Sequence, residues 1–186
     1  MCDLKTVGIE VWAVAADREA IWLDGLDAWR DGPLPADTTV HFETQRLLLD
    51  HGIDPRDTLF VRIPEAAPPV DVIHSTSWRD EGPSVTLTYM AVVHTAGFVL
   101  DMWPDAAPVT LALPAETKRP APHRAAKAPE YIRASDVLLH GLRHLKFLIS
   151  PWGDAEVAAV LDRNWRRHLH ALKPALATMY SERLAG

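Results

Sequence analysis

Apolar and polar positions alternate most strictly between residues 70 and 94. Val85, Leu87, Tyr89, Ala91 and Val93 fall on one face, and Thr86, Thr88, Met90 and Val92 on the other. A period of two carried by β-branched and aromatic residues marks strands, and 70–77 and 84–94 form a predicted hairpin turning at Arg79, Asp80, Glu81, Gly82 and Pro83. Residues 6–16 are apolar on both faces, as in a strand inside a sheet, and 19–23 is a second strand after Asp17-Arg18. A helix over 15–22 competes with that second strand. Short strands are expected at 57–63, 97–103 and 109–113.

The period changes to that of a helix over 38–51, with Asp37 as cap, Gly52 as stop and Pro55 just beyond. At roughly 100° per residue, Glu43, Arg46 and Asp50 share one narrow polar stripe. Val40, Phe42, Leu47, Leu48 and Leu49 take most of the remaining circumference, which implies burial on more than one side. A helix over 136–149 starts at Ser135, presents Leu138, Leu142, Leu145 and Ile149 to a core, and stops at Pro151. Asp154 caps a further stretch with Val157, Val160, Leu161, Trp165, Leu169 and Leu172 at helical spacing and a break near Asp162. Pro174 opens a last helix through Leu184.

These elements give an α+β fold: a mixed or antiparallel sheet packed on a central helix, with a C-terminal helical extension. Residues 1–113 form the α+β domain. Residues 114–130, rich in Pro and Ala and carrying Lys118, Arg119, His123, Arg124 and Lys127, form a basic linker. Residues 131–186 form the helical extension packed on that domain. Composition adds exclusions. A net charge of −6 argues against general nucleic-acid binding, which needs a basic surface. No apolar run reaches the ~20 residues of a membrane span, and no leader pattern opens the chain. One cysteine, Cys2, excludes an internal disulfide and fits a cytoplasmic location.

The order strand, turn, strand, Pro-rich loop, helix ending in Gly-Ile, then hairpin resembles a Nudix domain over roughly half the chain. The family's box is G-x5-E-x7-R-E-U-x-E-E-x-G-U, with U a bulky aliphatic. With Gly52-Ile53 on its closing Gly-U, Asp50 takes the last Glu, Leu49 the Glu before it, Leu47 the first U, Arg46 the Glu after the motif's Arg, Gln45 that Arg, and Asp37 the first Glu. Gly32 falls one residue from the leading Gly. The frame is partly kept, but Arg46 and Leu49 stand where the family has metal-binding carboxylates. The resemblance therefore implies a fold able to hold a nucleotide-like ligand, with Asp50 and Glu43 the only acids left on the stripe for Mg2+ and little or no hydrolysis.

Three groups of residues are candidates for chemistry. Glu43, Arg46 and Asp50 would line a pocket for a phosphorylated molecule, Arg46 gripping phosphate in bidentate fashion, or else pair with one another along a solvated helix. In the string 74–79, alternation places His74, Thr76 and Trp78 on one face and Ser75, Ser77 and Arg79 on the other. Hydroxyls beside a guanidinium suit an anionic ligand and Trp78 could stack on a base; equally, these are the wet face and cover of a sheet. His140 and His144 stand at i and i+4, the spacing of a two-histidine metal site. Gly141 holds the place of the zincin Glu, and a third ligand would have to be His41, His51 or His168, so a face docked on the sheet is the stronger interpretation.

Two further functional classes stay open. The basic positions Arg163, Arg166, Arg167, His168, His170 and Lys173, with six of the seven tryptophans, Trp12, Trp22, Trp29, Trp103, Trp152 and Trp165, as core or interface anchors, fit a protein partner or a homodimer formed through the C-terminal helices. A metal-dependent hydrolase using Asp50, Glu43 or the two helix histidines is the other alternative to small-molecule binding.

Overall fold

The computed structural model describes residues 6–24, 69–80, 84–109, 134–176 and 178–179. The expected 38–51 helix, the 57–63 strand, the 114–130 linker and the residues Glu43, Arg46, Asp50, His41, His51 and Trp29 lie outside them. What is described is an α+β fold. Strands β1 (Thr6–Ala16), β2 (Ile21–Leu23), β3 (Val70–Asp80), β4 (Ser84–Val93), β5 (Ala107–Pro108) and β6 (Thr178–Met179) form one mixed sheet in the order β5-β2-β1-β4-β3-β6. Helices α1 (Val99–Met102), α2 (Ala134–Leu148), α3 (Ala155–Val160) and α4 (Arg163–Leu169) complete the described elements.

β1 is apolar on both faces because both are covered. It pairs in parallel with β4, Thr6 against Ser84 through to Val14 against Val92, while β3 and β4 form the expected antiparallel hairpin. On one face Trp12, Val14, Met90, Val92 and Val72 pack under α2, α3 and α4 through Leu138, Leu142, Leu145, Val157, Leu161, Trp165 and Leu169. On the other, Ile9, Ile73, Tyr89 and Ala91 form one cluster and Ala13, Ala15, Trp22 and Val93 another, the second closed by Val99 and Trp103.

Three expectations are corrected. Residues 97–103 do not form a strand: Val99–Met102 is one helical turn, whose first N–H donates to the Asp17 carboxylate at 3.0 Å. Val99 and Trp103, four residues apart, are the positions buried there, so the spacing that matters is helical. A short edge strand forms at 107–108, held by Trp22 and Leu23 of β2, and the Val109 N–H donates to the Ile21 carbonyl; the rest of the expected 109–113 strand lies outside the described residues. Ser135 already lies inside α2 and is not its cap. Among the described residues Pro174 does not open a helix: the Ala175 N–H donates to the Arg143 carbonyl at 3.0 Å, and residues 178–179 join the sheet beside β3.

Elsewhere the caps act as expected. Asp154 accepts from the N–H groups of Glu156 and Val157, and Asp162 from those of Asn164 and Trp165, which places the break between α3 and α4 at Asp162. Ile149 falls just past the end of α2, and Leu148 takes the buried position there. Val160 turns outward and is exposed. Among the described residues no helix is long and apolar enough to cross a membrane.

Candidate functional site

Beneath α2 the sheet changes from apolar to polar along successive rungs. Val14, Val92 and Val72 make one row across β1, β4 and β3; Trp12, Met90 and His74 make the next. The row after that is Glu10, Thr88 and Ser77, all three buried. α2 lays His140 and His144, both buried, over this end of the sheet. A carboxylate, three imidazoles and two hydroxyls thus lie on or over one end of the sheet's α2-facing side, where an ordinary core would hold aliphatic side chains.

A β-bulge builds this arrangement. The pairing of β3 with β4 steps from Ser75 opposite Tyr89 to Ser77 opposite Thr88, leaving Thr76 as the extra residue. One inserted residue reverses the parity of the strand. The expected grouping of His74 with Thr76 and Trp78 is therefore overturned. His74 and Ser77 face α2, whereas Ser75 pairs with Tyr89 and Trp78 with Leu87 on the opposite face, Trp78 partly exposed. Arg79 is placed as strand backbone opposite Thr86. The Thr76 hydroxyl donates to the Thr88 carbonyl, and its own carbonyl, released by the bulge, accepts from His140 Nε2 at 3.1 Å.

The two helix histidines have separate commitments. His140 is tied to Thr76, while His144 donates from Nδ1 to the Ala175 carbonyl at 3.1 Å and places Nε2 3.2 Å from Nδ1 of His74. The His74 and His144 ring centroids lie 4.9 Å apart, and the Phe147 ring stacks with that of His144 at 6.0 Å. His168 instead reaches the Asp17 carbonyl at 2.8 Å. Among the described residues no three His, Cys, Asp or Glu side chains are grouped to hold a metal ion.

Burial keeps both helix imidazoles neutral. It pulls the pKa of His144 down to about 4, with His74 and His140 adding to the fall and the Ala175 carbonyl opposing it. Burial also lowers that of His140, helped by Arg143 and opposed by Thr76. Comparison with protein-family models, curated proteins and solved structures finds no match.

Two residues of consequence went unmarked in the sequence. Glu10 is the only ionisable side chain within Thr6–Ala16, and a lone acid in a strand apolar on both faces is the signal that could have found it. Its carboxylate accepts from the Trp12 indole N–H. Asp17 looked like a turn residue. Its carboxylate is buried and accepts from the N–H groups of Glu19, Ala20 and Val99, so it joins the β1–β2 turn to α1.

Proposed function

We propose that this domain binds a small hydrogen-bonding molecule, nucleotide-like or otherwise phosphorylated, at the polar end of the sheet beneath α2, with little or no hydrolysis. The observation that carries this is the row Glu10, Thr88 and Ser77 under His74, His140 and His144. Burying so many polar groups costs stability relative to an apolar core, and departures of that kind concentrate at functional sites. His74 is only partly buried, which makes β3 the accessible side of the cluster. On the Nudix-like reading, Arg46 is the residue for the phosphate end of such a ligand, with Glu43 and Asp50 beside it for Mg2+.

Thermal denaturation against a panel of nucleosides, nucleotides and sugar phosphates, with and without Mg2+, tests this. A ligand at 100 times its dissociation constant adds about 2.7 kcal/mol of stability. The expected result is a saturable shift that His74→Phe reduces. No shift from any member of the panel overturns the proposal.

A second reading, docking of another copy through the C-terminal helices, is favoured by one observation: Trp152, between α2 and α3, is 86% exposed. Tryptophan is among the residues most enriched at the centres of interfaces. A mass that rises with concentration, and that Trp152→Ala returns to monomer, would support it; a monomer at all concentrations would exclude it.

A further inference from the structure

The hydrogen bonds around His144 fix where the protons sit, and this determines what His74 offers a ligand. A carbonyl oxygen only accepts, so the contact of His144 Nδ1 with the Ala175 carbonyl at 3.1 Å places a proton on Nδ1. A neutral imidazole carries one proton, so Nε2 of His144 is left as an acceptor. Nε2 faces His74 Nδ1 at 3.2 Å, which must then be the donor. The Ser75 carbonyl, 2.9 Å from the same His74 nitrogen, is another pure acceptor and demands the same assignment. Two independent acceptors therefore converge on one N–H. In a neutral His74 the remaining nitrogen, Nε2, is unprotonated. No other hydrogen bond of His74 is formed among the described residues.

We infer that His74 Nε2 is the acceptor of the site and takes its hydrogen bond from an uncharged donor on the ligand, a sugar hydroxyl or an exocyclic amino group, rather than from a phosphate. A dianionic phosphate monoester has only acceptor oxygens and would meet a lone pair with a lone pair. The chain from the Ala175 carbonyl through His144 to His74 acts as a positioning device, holding His74 in the Nδ1–H form. This deepens the small-molecule reading above and rests on it for the ligand's identity.

The tautomer is read directly by long-range 1H–15N correlation spectra of the full chain at pH 8, with His74 identified by backbone assignment. The expected result is a pyridine-like Nε2 and a pyrrole-like Nδ1 on His74, and the same pattern on His144. A His74 protonated at Nε2, alone or together with Nδ1, overturns the inference whatever binds. The ligand side uses adenosine and phenyl phosphate, a dianion without a donor at pH 8, as probes in thermal denaturation. An adenosine shift that His74→Phe reduces at least tenfold in apparent affinity supports it. An adenosine shift unchanged in His74→Phe, or a phenyl phosphate shift lost in it, overturns the assignment of His74 while leaving small-molecule binding intact. Silence of both probes counts against the small-molecule reading, and the spectra still decide the state of His74.

Discussion

A Cβ on Gly141 would lie 2.6 Å from Sδ and 2.8 Å from Cγ of Met90, closer than atoms of these kinds approach. The absence of a side chain at Gly141 lets α2 settle onto β4, and so brings His140 and His144 down to β3. Gly141→Ala should gain up to ~1 kcal/mol in helix propensity but cost about 1–3 kcal/mol in overpacking against the fully buried Met90. The expected net result is a protein less stable by about 1 kcal/mol in urea denaturation. A stabilised variant would show that the helix sits further out.

Asp17 should be among the costliest single polar residues to lose. Its carboxylate accepts three backbone N–H groups at 2.8, 3.1 and 3.0 Å. Burial raises its pKa, but the Trp22 indole nearby and the N–H groups of Val99, Ala20 and Glu19 outweigh that and hold it below the ordinary value of 3.8. Asp17→Ala leaves those donors unpaired and should lower stability by about 3 kcal/mol in chemical denaturation. A loss under about 0.5 kcal/mol would mean that water replaces the carboxylate fully.

Stability should fall in mild acid. His144 and His140 have folded-state pKa values below the ordinary 6.5, so the unfolded chain takes up protons first. The neutral imidazoles contribute fully above about pH 6.5, and that contribution is lost as pH falls towards about 4. At about 1.4 kcal/mol per pH unit, His144 alone accounts for a loss of about 3 kcal/mol over that interval. Urea midpoints at pH 8 and pH 4.5 measure it. His144→Phe should flatten the dependence, and a midpoint constant from pH 8 to 4.5 would contradict it. Asp17, also shifted down, adds to the same acid loss but lower on the scale, as pH falls from the ordinary 3.8 through its own lowered value.

Trp152→Ala should leave unfolding free energy within about 0.5 kcal/mol, because the side chain is 86% exposed and supports no core. A larger loss in urea denaturation would mean that the indole packs on the domain in solution.

Strands and core were legible where periodicity is strict. Thr6–Ala16 and the β3–β4 hairpin follow from alternation, and the core positions of α2, with Leu138, Leu142 and Leu145 buried, from helical spacing. The candidate site was legible only in part. His74, Ser77, His140 and His144 were named, but a β-bulge leaves no mark in composition, and Thr76 looks like any other strand residue. Hence the sequence put Trp78 beside His74 when pairing puts it on the reverse face. The juncture of His144 with His74 depends on elements 70 residues apart and on a carbonyl at Ala175. No local window contains those three.

The helix expected after Pro174 and the strand expected at 97–103 failed for a related reason. Proline at a first helical position is a permissive signal, whereas the Arg143 carbonyl and the edge of β3 supply the chain with specific partners. Likewise Val99 sits near enough in space to Asp17 for one carboxylate to override a strand-like run of apolar residues.

The parallel pairing of β1 with β4 has a kinetic consequence. Residues 6 and 84 must find each other across most of the first half of the chain, whereas β3 and β4 need only a short connection to zip together. Closing the larger loop is entropically dearer and rewarded later, so the hairpin is the natural nucleus and β1 a late arrival. Weakening substitutions in β1, such as Ile9→Ala, should then speed unfolding more than they slow refolding, while those in β4 should slow refolding.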